Sequence, residues 1–210
     1  MSEALAVDPH AHGAVHGAVI DEYEPSITPG NSGKLGMWAF LAADAMTFGA
    51  AIAAYGALRY NNVNWPNPAE YLGITTTAIM TFILICSSVT MVEAIQGVQN
   101  GNQSKFKVFM FATIIGGVAF LTMQAFEWHH LLMERGMSIH RDLFDATFFI
   151  LTGFHGCHVF GGVVYNSVIW IRGLMGKIPQ NKAKLVEIAG LYWHFVDLVW
   201  ILIFTFVYLI

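Results

Sequence analysis

Several histidines and carboxylates stand inside stretches that are otherwise apolar. His194 and Asp197 lie three positions apart in the run LYWHFVDLVWILIFTFVYLI at 191–210, a spacing that places both on one face of a helix. Asp44 interrupts an apolar stretch at 35–58, Gln124 and Glu127 interrupt 108–132, and His155 and His158 interrupt 147–171. Side chains of these types hold or relay protons, bind cations or ligate metals. At membrane depth an ionisable group is expensive enough to require a partner or a function.

Three chemistries fit the pattern. In the first, Glu127 pairs with His155, and Asp44 pairs with a group on the fourth or fifth span, so that hydrogen bonds lock the helices together. In the second, the same residues form a proton path or an ion site. In the third, His155 and His158 share a metal with Glu127 while His129 and His130 make a second cluster, in the manner of membrane di-iron or haem enzymes. One H-x-x-H and one adjacent pair are few ligands for that third chemistry. The expectation is therefore that the chain binds no metal.

The elements that must position these groups follow from composition. Of 210 residues, 56% are hydrophobic and 11% charged, far below the roughly 25% charged residues of a soluble domain. Stretches long enough to cross a hydrocarbon core recur five times, at 35–58, 72–95, 108–132, 147–171 and 188–210. They are continuous rather than alternating, so helices satisfy the backbone and a barrel is excluded. The fold class is an all-α integral membrane bundle of five helices, residues 35–210, preceded by a cytoplasmic tail at 1–34 holding His10, His12 and His16. That tail lacks a basic start followed by an apolar core, so the first helix serves as its own insertion signal.

Small residues line the first span (Ala42, Ala43, Ala45, Gly49, Ala50, Ala53, Ala54) and recur at Gly153, Cys157 and Gly161 on the fourth. This predicts close approach of neighbouring helices. Lys34, Lys105, Lys107, Arg172, Lys177, Lys182 and Lys184 fall on one side of the alternating connections, and Arg59, Arg135 and Arg141 on the other. The positive-inside bias then puts the N-terminus in the cytoplasm and the C-terminus outside. A net charge of −4 offers nothing to nucleic acid. Cys86 and Cys157 lie inside spans and indicate no disulfide framework.

Four ordered motifs on four spans resemble one family. FFILTGFHGCHVFGG at 148–162 and the terminal run from 191 look like the last two helices of subunit III of the haem-copper terminal oxidases. KLGMWAFLAADAMTFGAAIAAY at 34–55 looks like that family's helix with a buried acid, and QAFEW at 124–128 resembles its glutamine and glutamate. The match covers nearly everything after residue 33, in the shorter five-helix bacterial form. The resemblance implies a bacterial plasma membrane. It also implies a subunit without a redox centre that stabilises subunit I and supports proton uptake, with haem and copper in partner subunits I and II. Subunit IV or a supercomplex would be further neighbours.

By the same resemblance, Arg172 occupies the place of an arginine that contacts a lipid phosphate, and Glu187 matches the acid ahead of YWHFVD. The longer form builds part of its lipid cleft from two extra helices, so a phospholipid here needs another wall. Asp44 stands where the cytochrome c branch usually has glutamate. That aspartate and FEWHHLL lean toward quinol oxidases, whereas YWHFVD and Glu187 lean toward cytochrome c oxidases. The longer helix 4 to 5 region favours the cytochrome c type.

Overall fold

The computed structural model describes residues 32–63, 65–66 and 72–209. The N-terminal histidines lie outside the described residues. Among those described, five long helices carry the chain: α1 (Ser32–Asn61), α2 (Ile74–Gln99), α3 (Gln103–Met133), α4 (Leu143–Leu174) and α5 (Ala183–Ile203). α5 follows a 3₁₀ turn at Gln180–Lys182 and continues as a π-helical segment at Phe204–Leu209. All five are long and apolar enough to cross a membrane, and the protein is a multi-pass membrane protein. Apart from the start of α2 and the end of α5, the helices extend past the apolar stretches that predict them, because backbone hydrogen bonding continues into the polar ends where hydropathy has already fallen.

Two of the turns have a specific cause. After α2, Gly101 adopts φ 71°, and the Asn102 amide donates to the Gly97 carbonyl at 2.8 Å. After α4, Gly176 adopts φ 69°, and the Lys177 amide donates to the Arg172 carbonyl at 2.9 Å. A left-handed glycine just past the helix satisfies the last carbonyls and reverses the chain without the penalty a Cβ would bring. Asn102 then opens α3, its side chain accepting the Lys105 amide.

Helices α2, α3, α4 and α5 close a ring in which each packs on the next. Trp193 of α5 fills the centre. A Cβ at Gly117 of α3 would lie 2.6 Å from its ring, and one at Gly162 of α4 2.8 Å. Phe106 of α3 likewise occupies the space left by Gly173. Several of the closest approaches are therefore large rings set into glycine gaps, which wins dispersion contact where lipid provides no hydrophobic drive.

α1 lies outside this ring and contributes only Leu41, Phe48 and Tyr55 as buried residues. Their spacing of seven makes one narrow seam along the helix. This corrects the expectation that its small residues are enclosed: Ala42, Ala43, Ala45, Gly49, Ala50, Ala53 and Ala54 are all exposed. Large residues hold the seam, so the small ones fall on the other faces. The α4 stripe is corrected too, since Cys157 is exposed and Gly153 accommodates the Trp128 ring rather than a helix backbone.

The start of α1, the α2–α3 turn and the α4–α5 connection meet at one end. There Glu187 accepts from Gln99 Nε2 at 2.8 Å and pairs with Lys34 at 3.5 Å, while Gln103 Nε2 donates to the Ile178 carbonyl. At the other end Arg141 pairs with Asp142 at 3.0 Å and Asp145 at 3.6 Å. The seven basic residues named above thus gather at one end and the three at the other.

Candidate functional site

The intramembrane polar groups are distributed as separate locks between helix pairs. Asp44 of α1 faces His158 of α4, with Oδ2 2.9 Å from Nε2. His158 Nδ1 lies 2.9 Å from the Phe154 carbonyl, one turn earlier. A carbonyl only accepts, so this contact calls for the tautomer with the hydrogen on Nδ1. Asp44 Oδ2 makes no hydrogen bond, and its approach to Nε2 is a close polar contact. Phe48 stands edge-on to the ring at 5.2 Å, and the Tyr192 hydroxyl of α5 donates to the His158 carbonyl at 2.9 Å. Three helices therefore converge on this residue.

On α5, His194 and Asp197 face α2, as their spacing requires. The Ser88 hydroxyl of α2 lies 2.5 Å from His194 Nδ1, while neither oxygen of the buried Asp197 carboxylate has a hydrogen-bond partner among the described residues. The same helix pair is tied by indole donors, Trp193 Nε1 to Ser87 Oγ at 3.1 Å and Trp200 Nε1 to Thr81 Oγ1 at 2.9 Å. The hydroxyls of Thr77, Thr81 and Ser88, spaced four and seven apart, form a polar stripe on one face of α2. That periodicity is visible in the sequence and identifies residues that the search for charged groups missed.

Glu127 of α3 does not pair with His155. It accepts from Thr77 at 3.2 Å, and the Tyr208 hydroxyl of the π-helical segment also bonds to it. Tyr208 is missed by sequence reasoning because the π segment alters which face of the last turn it occupies. His155 is wholly buried in an aromatic box, stacked on Trp200 at 5.0 Å with Phe120 edge-on at 5.8 Å. Neither ring nitrogen has a hydrogen-bond partner among the described residues. Gln124 joins α3 to α4 through Nε2 and the Thr152 carbonyl at 2.9 Å.

These directions bear on the metal alternative. The side chains required for a shared metal diverge, with His158 turned to Asp44, His155 to Trp200 and Glu127 to Thr77. Among the described residues no three His, Cys, Asp or Glu side chains converge, and His130 pairs with Glu134 at the exposed end of α3. His158 of α4 faces α1, His155 stands in the aromatic box, and His194, the one histidine of α5, meets α2. Arg172 is exposed at the end of α4, two residues past Trp170, which stacks on Phe111 at 5.0 Å and donates to the Lys107 carbonyl.

Five spans with these pairings invite comparison with known proteins. The family model for cytochrome c oxidase subunit III matches residues 30–210. The chain belongs to that family. It is similar to cytochrome c oxidase subunit 3 of Alkalihalophilus pseudofirmus, 33% identical over 89% of this chain and 90% of the relative. It is also similar to cytochrome c oxidase subunit 3 of Bacillus subtilis, 34% identical over 86% and 87%. A third relative is the cytochrome bo(3) ubiquinol oxidase subunit 3 of Pseudomonas aeruginosa, 33% identical over 86% of each chain. The family is that of a non-soluble component of an oxidoreductase complex, so all the pairings above belong to a subunit III of a haem-copper oxidase.

Proposed function

We propose that the chain is subunit III of a cytochrome c oxidase in a bacterial plasma membrane. It binds no redox centre, holds subunit I and supports proton uptake for the reduction of O2 to water, with haem and copper in subunits I and II. Its N-terminus lies in the cytoplasm and its C-terminus outside. One observation carries this reading. The intramembrane polar side chains pair across helix interfaces instead of converging on one centre. That distribution supports a role in holding the bundle together.

The bacterial cytochrome c oxidase relatives support the choice of donor. Arg172, exposed at the end of α4, is the candidate contact for a lipid phosphate. Glu187 stays at the neighbouring end, paired with Lys34 and Gln99. A second reading, a quinol oxidase subunit III, is favoured by Asp44 and by the Pseudomonas relative.

Purification of the complex under mild detergent tests both. A partner subunit that binds copper and oxidation of reduced cytochrome c are expected. A complex that lacks copper outside subunit I and oxidises quinol would replace the first reading by the second. Failure to co-purify with any haem protein would overturn both.

A further inference from the structure

Between α3 and α4 runs a groove of about 440 Å³, lined from α3 by Gln124, Ala125 and Trp128 and from α4 by Gly153, Gly156 and Cys157. The two sets recur at helical spacing, and Trp128 meets Gly153 while Gln124 meets Gly156. A Cβ at Gly153 would lie 2.9 Å from the Trp128 ring, and one at Gly156 3.1 Å from Gln124 Oε1. Two polar atoms stand on this strip without a partner among the described residues. Gln124 is 7% exposed, and its Nε2 donates to the Thr152 carbonyl at 2.9 Å, which leaves Oε1, turned to Gly156, with no donor. Trp128 Nε1 has no acceptor, whereas Trp170, Trp193 and Trp200 each donate. That nitrogen lies on the same edge of the indole as Cζ2, the atom 3.4 Å from a Cβ at Gly153.

What the two atoms lack selects the chemistry of an occupant. Oε1 needs a donor and Nε1 needs an acceptor, and a hydroxyl is both. A carbonyl or an ether serves Nε1 alone, and an ammonium group would bring a charge to membrane depth. Gln124 and Trp128 stand nine and five residues before the end of α3 at Met133, about 14 and 8 Å of helix rise. The polar margin of a bilayer is about 5 to 7 Å deep on each side, so Gln124 lies within the hydrocarbon layer. A phosphate or a glycerol hydroxyl belongs nearer the margin. The floor between Trp128 and Phe160 is Gly153, Gly156 and Ala125, none with a side chain larger than a methyl group. A flat ring can lie on such a floor with an aromatic side chain at either end.

We propose that the α3–α4 groove binds a lipid-soluble phenol or quinol, whose ring hydroxyl donates to Gln124 Oε1 and accepts from Trp128 Nε1 while its apolar tail leaves toward the lipid. Binding makes and breaks no covalent bond. This goes beyond the proposed function and applies with either electron donor, because it concerns what this chain binds and not what the complex oxidises.

The test is nuclear magnetic resonance of the full-length chain with nitrogen-labelled indoles in phosphatidylglycerol nanodiscs, titrated under argon with a short-tailed ubiquinol and with its dimethyl ether. The Trp128 N–H signal, assigned by its loss in Trp128→Phe, is expected to shift with the quinol. The ether cannot donate to Oε1 and should need a concentration roughly tenfold higher or more. Gln124→Leu should lower the affinity for the quinol to that for the ether, and Cys157→Phe, which fills the groove from α4, should abolish binding. Trp38→Phe, which alters the separate groove between α1 and α5, should change nothing. If Gln124→Leu does not insert, the ether and Cys157→Phe carry the comparison. Equal affinity for quinol and ether, or binding that survives Cys157→Phe, overturns the site, and an equal response to dioleoylglycerol overturns the aromatic ligand. In the oxidase complex the readout is maleimide labelling of the exposed Cys157, with the other exposed cysteine removed by Cys86→Ser. Labelling slowed by the quinol is expected. Labelling indifferent to the quinol, or blocked until the complex is dissociated because a partner's helix fills the groove, overturns the proposal.

Discussion

Asp44 and His158 join the outlying helix α1 to the ring through one 2.9 Å polar contact. The other attachments of α1 are the seam of Leu41, Phe48 and Tyr55 and the exposed Lys34–Glu187 pair. An exposed ion pair contributes little. The half-buried Asp44–His158 contact is the stronger constraint on the rotation of α1 about its own axis.

Replacing Asp44 by Leu should leave the His158 ring nitrogen half-buried and unsatisfied, at a cost of about 1 to 3 kcal/mol. Asp44→Asn, which keeps a hydrogen-bonding group, should lose less. We expect oxidase carrying Asp44→Leu to start near the wild-type rate and then lose activity faster under sustained turnover, with subunit III released earlier in detergent. An initial rate near zero with the subunit retained and the haems intact would show that Asp44 takes part directly in the chemistry.

Trp193 sits in a slot made by two glycines. Gly117→Ala introduces a Cβ 2.6 Å from that ring and from Val163, and overpacking of this kind destabilises by about 1 to 3 kcal/mol. Gly49→Ala meets nothing within 4 Å and should stay within about 0.5 kcal/mol of wild type. Unfolding midpoints in mixed detergent micelles compare the two, and equal midpoints would contradict the packing described.

The Glu127 cluster joins three helices through two hydroxyls. Tyr208→Phe and Thr77→Val each remove one donor and should each destabilise by about 1 kcal/mol. Because the two hydroxyls share a carboxylate, the double variant should depart from additivity by about 0.5 kcal/mol or more. Strict additivity in a double-mutant cycle would separate Tyr208 from Glu127.

Metal analysis addresses the divergence of the histidines. The isolated full-length chain should hold no stoichiometric iron, copper or zinc after dialysis without chelator. A stoichiometric metal lost in His155→Ala or His158→Ala would revive the di-iron alternative.

The sequence by itself determined the five spans, the gathering of basic residues at alternate ends, and which polar groups stand at membrane depth. Each of these depends on local quantities. A helix in lipid satisfies its own backbone, and a run of some twenty apolar residues is long enough to cross. The facing of His194 and Asp197 toward one neighbour was legible for the same reason, since it follows from helical period alone. Tertiary structure decided the partners. Glu127 meets Thr77 and Tyr208 rather than His155, His194 meets Ser88, and the small residues of α1 face outward. Partner choice depends on the rotation and axial register of each helix against the others. Those are set by where large rings such as Trp193 and Phe106 find glycine gaps on distant segments, and no local pattern in the chain carries that information.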